Sequence, residues 1–276
     1  MKKVSIQGIK GSFHEIAARN YYAGEDIEII ACSTFKDVFA SIRKDSGIIG
    51  VVAIENTIAG SLLPNYDLLK ESACRIIGEY KLRIEHHLAA LKGQQITDLT
   101  EVYSHPIALN QCADFFETQK HLKAVASSDT ASSAKEIADR QISGRGAICS
   151  KIAAQEYGLE IIAEGVETNK RNFTRFLFVA DTWMAETLQK GAVINESSLV
   201  FILPHEEGSL SKVLSILSFY RINLTKIQSL PIIGREWEYQ FYINLTFDDI
   251  YRYRQSLDAI RPLIKDLKIL GEYQSA

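Results

Sequence analysis

The stretch TNKRNFTRFLFVA, residues 168–180, sets an amide, a hydroxyl and a guanidinium (Asn172, Thr174 and Arg175) directly before the apolar run 176–180. The run has the length and composition of a buried strand. The polar groups precede a strand and not a helix, so helix capping does not account for them. Arg175 offers a planar fork suited to a carboxylate. Thr174 offers a neutral hydroxyl, a hydrogen-bond donor but a weak acid. Residue types alone leave two readings level: a strand end at the surface with a salt bridge, or a ligand site.

Working outward, residues 1–180 alternate short apolar runs with helical patterns. The runs at 4–9, 48–54, 101–103, 124–126, 146–149 and 176–180 read as strands. Strands alternating with helices imply parallel sheets covered by helices on both faces. The stretch 75–90, RIIGEYKLRIEHHLAA, reads as one long extended segment, suited to a crossover between two α/β lobes. Periodicity fades over 181–197, the expected linker. From 198 a second pattern begins: a strand at 199–203, a helix face formed by Leu210, Val213, Leu214 and Leu217, strands at 223–233 and 237–247, a helix capped by Asp248 or Asp249, and a last strand at 268–273. The order β-α-β-β-α-β is that of a ferredoxin-like domain, a fold that hosts many functions.

Bulk properties narrow the function classes. The chain has 276 residues, 46% hydrophobic and 24% charged, with net charge −3. No basic run offers a nucleic-acid surface. The longest apolar runs are of strand length, far below the ~20 residues of a membrane span, and the N-terminus MKKVSIQGIKGSF lacks the apolar region of a signal peptide. Cys32, Cys74, Cys112 and Cys149 are scattered, with no C-x-x-C pair, so reduced thiols in a cytoplasmic protein are expected. His86 and His87, adjacent on an extended segment, point to opposite faces and do not suit joint metal binding.

In the first 180 residues, polar clusters follow the expected strands: Ser12 after 4–9, Glu55-Asn56-Thr57 after 48–54, Ser104-His105 after 101–103, Ser127 to Thr130 after 124–126, and Ser150 after 146–149. Ser12 and Glu15 have capping-box spacing, and Pro106 suits a first helical position. Each cluster alone fits an ordinary helix cap. Together they place hydroxyls and helix N-termini at the carboxyl ends of strands, where open parallel sheets bind ligands, and they suit a small anion.

With those residues in view, the chain resembles the prephenate dehydratases of the monofunctional bacterial type with a C-terminal ACT domain. The matching pieces include GSFHEIAA, VVAIENTIAGSL, LRIEHHLAA, VYSHPIALNQC, SDTASSAKEIA, NFTRFLFV, SLVFILPHEEGSLSKVLSIL and RINLTKIQSLP, in the family's order from residue 4 to about 245. The resemblance implies an α/β catalytic domain at 1–180 with two lobes, like type II periplasmic binding proteins, and a cleft between them. It further implies a linker at 181–197 and an α+β, ferredoxin-like βαββαβ ACT regulatory domain at 198–276. The implied reaction converts prephenate to phenylpyruvate with loss of water and carbon dioxide. No cofactor or metal is implied, phenylalanine is the feedback effector, and the assembly is a homodimer or homotetramer.

Carried over by motif, Thr174, Arg175 and Asn172 are the catalytic candidates, with Thr174 at the departing hydroxyl and Arg175 at a carboxylate. Ser12, Glu55, Asn56, Thr57, Ser104, His105, Thr130 and Phe176 are the substrate-binding candidates. Gly208, Ser209, Leu210, Asn223 and Leu224 are the effector-binding candidates. The chain departs from the family's usual pattern at 9–14, at Ile107 after His-Pro, and at Gln228-Ser229-Leu230-Pro231, where Glu-Ser-Arg-Pro is usual. That last change loses a charge pair and bears on the effector. Two rivals share these motifs: arogenate dehydratase, acting on the aminated substrate, and a non-catalytic carboxylate-binding regulatory protein.

Overall fold

The computed structural model describes residues 1–232, 234–235 and 238–275. The chain forms two compact units, Met1–Asn65 with Tyr80–Phe176, and Tyr66–Glu79 with Leu177–Ala276.

The first unit begins with a small parallel lobe: β1 (Lys2–Gln7), α1 (Phe13–Tyr21), β2 (Ile27–Cys32), α2 (Phe35–Lys44), β3 (Ile48–Asn56), the short β4 (Gly60–Ser61) and the start of α3 (Leu63–Glu71). β1 lies in the middle, with Val4 opposite Ile29 of β2 and Ile49 of β3, both pairings parallel. β3 is buried along its length except at Glu55, which explains its unbroken apolar sequence. The expected strands do not include β2: its residues are half-buried or exposed, so its apolar signal is weak.

The expected long strand 75–90 is two strands. β5 (Arg75–Arg83) stops, and β6 (His87–Ala90) begins in another sheet. Between them the backbone is satisfied by loops: Ile84 N donates to Asn172 O (2.8 Å), Val166 N to His86 O (2.8 Å) and His86 N to Glu167 Oε2 (2.9 Å). Local alternation cannot reveal such partners. The second lobe follows, with β7 (Glu101–Ser104), α4 (Pro106–Gln111), α5 (Ala113–Thr118), β8 (Lys123–Ala126), α6 (Thr130–Arg140), β9 (Arg145–Cys149), α7 (Lys151–Glu156) and β10 (Glu160–Ala163). Its sheet runs β10-β6-β9-β7-β8. Leu88, Val102, Leu109 and Ile148 pack on one face, and Ala89, Ala131, Ile137 and Ala147 on the other.

β11 (Phe173–Ala180) starts three residues earlier than the run 176–180 implies. Thr174 and Arg175 therefore lie inside the strand, with Asn172 immediately before it. Alternation then separates its side chains: Thr174 and Phe176 share one face, and Arg175 takes the other.

In the second unit, α8 (Thr182–Leu188) occupies part of the stretch expected as a linker. Then come β12 (Glu196–Leu203), α9 (Ser209–Phe219), β13 (Asn223–Pro231), β14 (Tyr239–Thr246), α10 (Ile250–Ile260) and β15 (Lys265–Tyr273). This is the expected βαββαβ order, and the strands form an antiparallel sheet β13-β14-β12-β15. Of the expected strands at 223–233 and 237–247, Ile233 and Trp237 lie outside the described residues. Leu199, Phe201, Val213, Leu217, Ile243 and Leu257 form the core, with the Phe247 and Tyr253 rings stacked at 4.2 Å. The unit is larger than 198–276, because the insertion 66–79 packs into it. Thr182 Oγ1 donates to Ala73 O (2.7 Å), and Gln240 Nε2 donates to Asp67 Oδ1 (3.3 Å).

The effector candidates fall in two places. Gly208, with φ 76°, precedes α9, whose first residues are Ser209 and Leu210. Asn223 and Leu224 open β13, beyond the other end of α9, a helix about 16 Å long by its rise. The two groups therefore stand towards opposite ends of α9. Among the described residues, no helix is long and apolar enough to cross a membrane.

Candidate active site

A cleft of about 450 Å³ opens between the two lobes of the first unit. The lobes meet where the turn before α1 approaches α7. Gly11, at φ +83°, lies so close that a Cβ there would stand 2.6 Å from Ala153 Cα. Ser150 Oγ donates to Gly11 O (2.7 Å), and Tyr157 OH to Lys10 O (2.8 Å). Only glycine fits that combination of left-handed backbone and close approach.

Ser12 caps α1, accepting from Glu15 N (3.4 Å) while Glu15 Oε2 accepts from Gly11 N (2.7 Å). Ser12 thus caps the helix as its spacing predicts, but Glu15 takes the N–H of Gly11, one residue before the cap, while Ser12 N donates to Ile9 O, so the reciprocal capping box does not close. Ser12 also lines the cleft. Asp129 caps α6 through Oδ2, which accepts from Ser132 N (3.0 Å) and Oγ (3.1 Å). His105 caps α4, its Nδ1 accepting from Ile107 N (3.2 Å), so Nε2 carries the ring hydrogen. Thr130 is the first residue of α6.

Of the catalytic and substrate-binding candidates, Ser12, Asn56, His105, Thr130, Thr174 and Phe176 line the cleft. Five stand elsewhere. Asn172 is fully buried behind the wall. Ser104 is also fully buried, its hydroxyl donating to Ile148 O (2.6 Å). Thr57 staples β3's end to β11: its hydroxyl donates to Arg171 O (3.1 Å) and accepts from Phe173 N (2.9 Å). Glu55 and Arg175 are not among the lining residues; for Arg175 the cause is the strand alternation described above.

Thr174 is held by one donor. Asn56 Oδ1 accepts from the backbone N–H groups of Ile58 (3.0 Å) and Ala59 (2.8 Å). Those donors cannot reverse, so Asn56 presents its NH2 to the other side. There Nδ2 donates to Asn172 Oδ1 (2.7 Å) and Thr174 Oγ1 (2.9 Å), with Phe173 O at 3.2 Å. The Thr174 oxygen is an acceptor in that contact, and among the described residues no protein group receives its hydrogen. Thr174 therefore presents a hydroxyl hydrogen to the cleft, polarised by the amide behind it.

Several lining residues are absent from the motif-based assignment. Gln111 and His86 stand beside Asn172, with Asn172 Nδ2 to Gln111 Oε1 at 2.9 Å and His86 Nε2 to Gln111 Oε1 at 3.0 Å. Thr34, the capping-box residue of α2 after β2, follows the same strand-end logic as the others, but the weak β2 pattern hides it. His14 packs edge-on to Phe176, with centroids 5.0 Å apart, and against Phe35 at 5.4 Å. Burial there pushes its pKa down to about 4, so at neutral pH the ring is uncharged. His86 is also held below the usual range by burial, against the opposing effect of its Gln111 hydrogen bond.

His14 has a consequence for stability. In the unfolded chain it titrates near 6.5, and in the folded chain near 4. Between those values the unfolded state binds more protons, so stability falls as pH drops from 6.5 towards 4, by up to about 3 kcal/mol. Urea unfolding across that window should show this slope, and His14→Gln should flatten it.

A model of the family "Prephenate dehydratase" matches residues 4–183. Arogenate dehydratase 2 of Petunia hybrida is 34% identical over 288 residues, covering 99% of this chain and 72% of its own length. A solved prephenate dehydratase from Arthrobacter aurescens, in complex with L-Phe, is 25% identical, with TM-score 0.85 and coverage of 98% and 89%. A structure described as a novel type of quorum-quenching acylase is 26% identical, also with TM-score 0.85, covering 99% and 98%. The family match spans the cleft and the strand that carries Thr174, and on that ground, with the end-to-end relative, the chain belongs to the prephenate dehydratase family.

Proposed function

We propose that the cleft carries out the family's reaction, the conversion of prephenate to phenylpyruvate, and that Thr174 meets the leaving hydroxyl. The observation that carries this is the Asn56 Nδ2 donation to Thr174 Oγ1 at 2.9 Å on the cleft lining, which makes that oxygen an acceptor there and leaves its hydrogen for a ligand. In this reaction the bond from the ring to its carboxylate breaks, releasing CO2. The electron pair moves through the ring, which becomes aromatic, and the ring hydroxyl departs as water. A donor at that oxygen stabilises charge that develops only in the transition state. Thr174 is a weak acid, so it acts as a fixed dipole and positioner, and the departing hydroxyl takes the one proton that completes water from solvent. Ser12, Thr130 and the first N–H groups of α1 and α6 suit the substrate's carboxylates. His105 presents Nε2–H at the rim. Phe176, His14 and Phe35 give an apolar wall for the ring. Asn172 supports the site from behind the wall. Arg175, the candidate for a carboxylate on residue chemistry, is not among the residues lining the cleft, and Glu55, Thr57 and Ser104 act as supports of the wall.

Residues 1–180 carry out catalysis, 181–197 connect, and 198–276 form an ACT regulatory domain. L-phenylalanine acts as effector, a reading supported by the L-Phe complex of a family member. The protein works in the cytoplasm as a homodimer or homotetramer, and the two separated groups of effector candidates fit a site completed by more than one chain.

A second substrate reading rests on Asp129. It is the one carboxylate among the lining residues, and neither Lys nor Arg lines the cleft among the described residues. Its Oδ2 is occupied by Ser132, while Oδ1 lies 3.9 Å from where a Cβ on Gly8 would stand, with no protein donor on it among the described residues. An ammonium suits that oxygen better than a keto group does, so the aminated analogue arogenate is the favoured alternative. Measuring kcat/KM on both substrates tests the two together. Asp129→Asn should lower the arogenate-to-prephenate ratio about tenfold, the size of losing one charge-assisted contact. An unchanged ratio removes Asp129 from selection, and no turnover of either substrate removes the dehydratase reading.

A further inference from the structure

At the cleft wall three side-chain amides close into a ring, Asn56 and Gln111 lining the cleft and Asn172 behind them. Gln111 Nε2 donates to Asn56 Oδ1 (3.4 Å), Asn56 Nδ2 to Asn172 Oδ1 (2.7 Å), and Asn172 Nδ2 to Gln111 Oε1 (2.9 Å). All three residues are buried. An amide ring of this kind can run in either sense, and the two senses differ in what they offer their neighbours. The backbone N–H groups of Ile58 and Ala59, fixed donors onto Asn56 Oδ1, choose one sense. In that sense Gln111 Oε1 is an acceptor, so His86 Nε2, at 3.0 Å, must carry the hydrogen. His86 Nδ1 is then bare, and it is buried with no partner. The spare hydrogen of Asn56 goes to Thr174 Oγ1.

The polarity of the ring thus decides the direction of the Thr174 hydroxyl. With Asn56 reversed, its carbonyl oxygen would face Thr174, and the threonine hydrogen would be spent on it. We propose that Gln111 and His86 are positioning residues that lock the amide ring in the sense that leaves the Thr174 hydrogen free for the leaving group. This rests on the dehydratase reading for its kinetic consequence, but the ring and its polarity do not.

Gln111→Glu tests it. An ionised carboxylate has no donor for Asn56 Oδ1 and repels it, which breaks the ring. A protonated carboxyl has one donor and one acceptor, as the amide does, and restores it. Other ionisable groups face this place. His86 touches residue 111, with Glu167 and His87 behind it. His14, His105 and Asp129 line the same cleft. The wild-type pH profile is therefore the reference.

At neutral pH, kcat of Gln111→Glu should fall about 100-fold, the scale of a misdirected catalytic group, with KM changed less than about threefold. It should then recover relative to wild type as pH is lowered and the carboxyl protonates. Gln111→Met, similar in size but without hydrogen bonds, should lose kcat equally with no recovery.

A second readout is independent of turnover. Nitrogen-15 NMR of the imidazole of His86 should show the Nε2–H tautomer in the wild type, and imidazolium in Gln111→Glu at neutral pH. An Nδ1–H tautomer in the wild type, or a wild-type kcat and pH profile in Gln111→Glu, overturns the proposal. If the wild type turns over neither substrate, the dehydratase reading fails while the tautomer measurement still decides the polarity of the ring.

Discussion

Replacing Asn56 with alanine should lower kcat about 100- to 1,000-fold and destabilise the protein by about 3 kcal/mol. Both effects follow from the same amide. On the catalytic side, Thr174 Oγ1 loses the donor that turns its hydrogen towards the cleft, and a freely rotating hydroxyl no longer has a fixed direction. Removing one preorganised donor costs on the order of 10²–10³ in rate. On the folding side, the N–H groups of Ile58 and Ala59 and the buried Asn172 Oδ1 lose their partner together. Buried groups left unsatisfied cost about 1–3 kcal/mol each where water cannot replace the lost bond, and Ile58 and Ala59 are exposed enough for water to help. Steady-state kinetics and urea unfolding of the same preparation check both. A loss of stability without loss of kcat per folded molecule would show that Asn56 is structural only.

Thr174→Ala should lower kcat to a similar extent with little change in fold. Thr174 accepts one hydrogen bond from Asn56, and the alanine variant leaves that NH2 with Asn172 Oδ1 and Phe173 O still in reach. KM should stay within a few-fold, because the contact to the leaving oxygen strengthens in the transition state and contributes little to ground-state binding. Thr174→Ser retains the hydroxyl and should keep most of the activity. Loss of it in Thr174→Ser alone would point to the threonine methyl as the fixing element. Near-normal kcat in Thr174→Ala would remove the residue from the chemistry.

Much of this arrangement is legible in the chain, and the reasons differ by residue. Ser12 and Thr130 reach the cleft because helices that follow parallel strands start at the strands' carboxyl ends, a rule that local spacing expresses. The βαββαβ order of the C-terminal part follows from periodicity alone. What local pattern could not express is partnership across the chain. The stretch 75–90 alternates as one strand, yet it breaks at 84–86 because Asn172 and Val166 bond its backbone. The insertion 66–79 joins the second unit through contacts to Thr182 and Gln240, which no linker signal at 181–197 reveals.

The motif Asn-Phe-Thr-Arg-Phe shows the same limit at a smaller scale. Its residue types identify it, but starting the strand at Phe173 instead of Phe176 turns Arg175 away from Thr174. The sequence-level pairing of those two residues on one ligand depended on that register. Gln111 stands in the quoted motif VYSHPIALNQC with no distinguishing feature of its own. Its importance comes from Asn56 and Asn172, 55 and 61 residues away in the chain.

The most direct measurement of the central claim is a crystal structure of Thr174→Ala soaked with prephenate. With the chemical step slowed, the substrate should remain intact in the cleft. Its ring hydroxyl should lie within hydrogen-bond reach of the place vacated by Thr174 Oγ1, on the Asn56 side. A ring carboxylate in that place, with the hydroxyl turned towards the mouth of the cleft, would contradict the account.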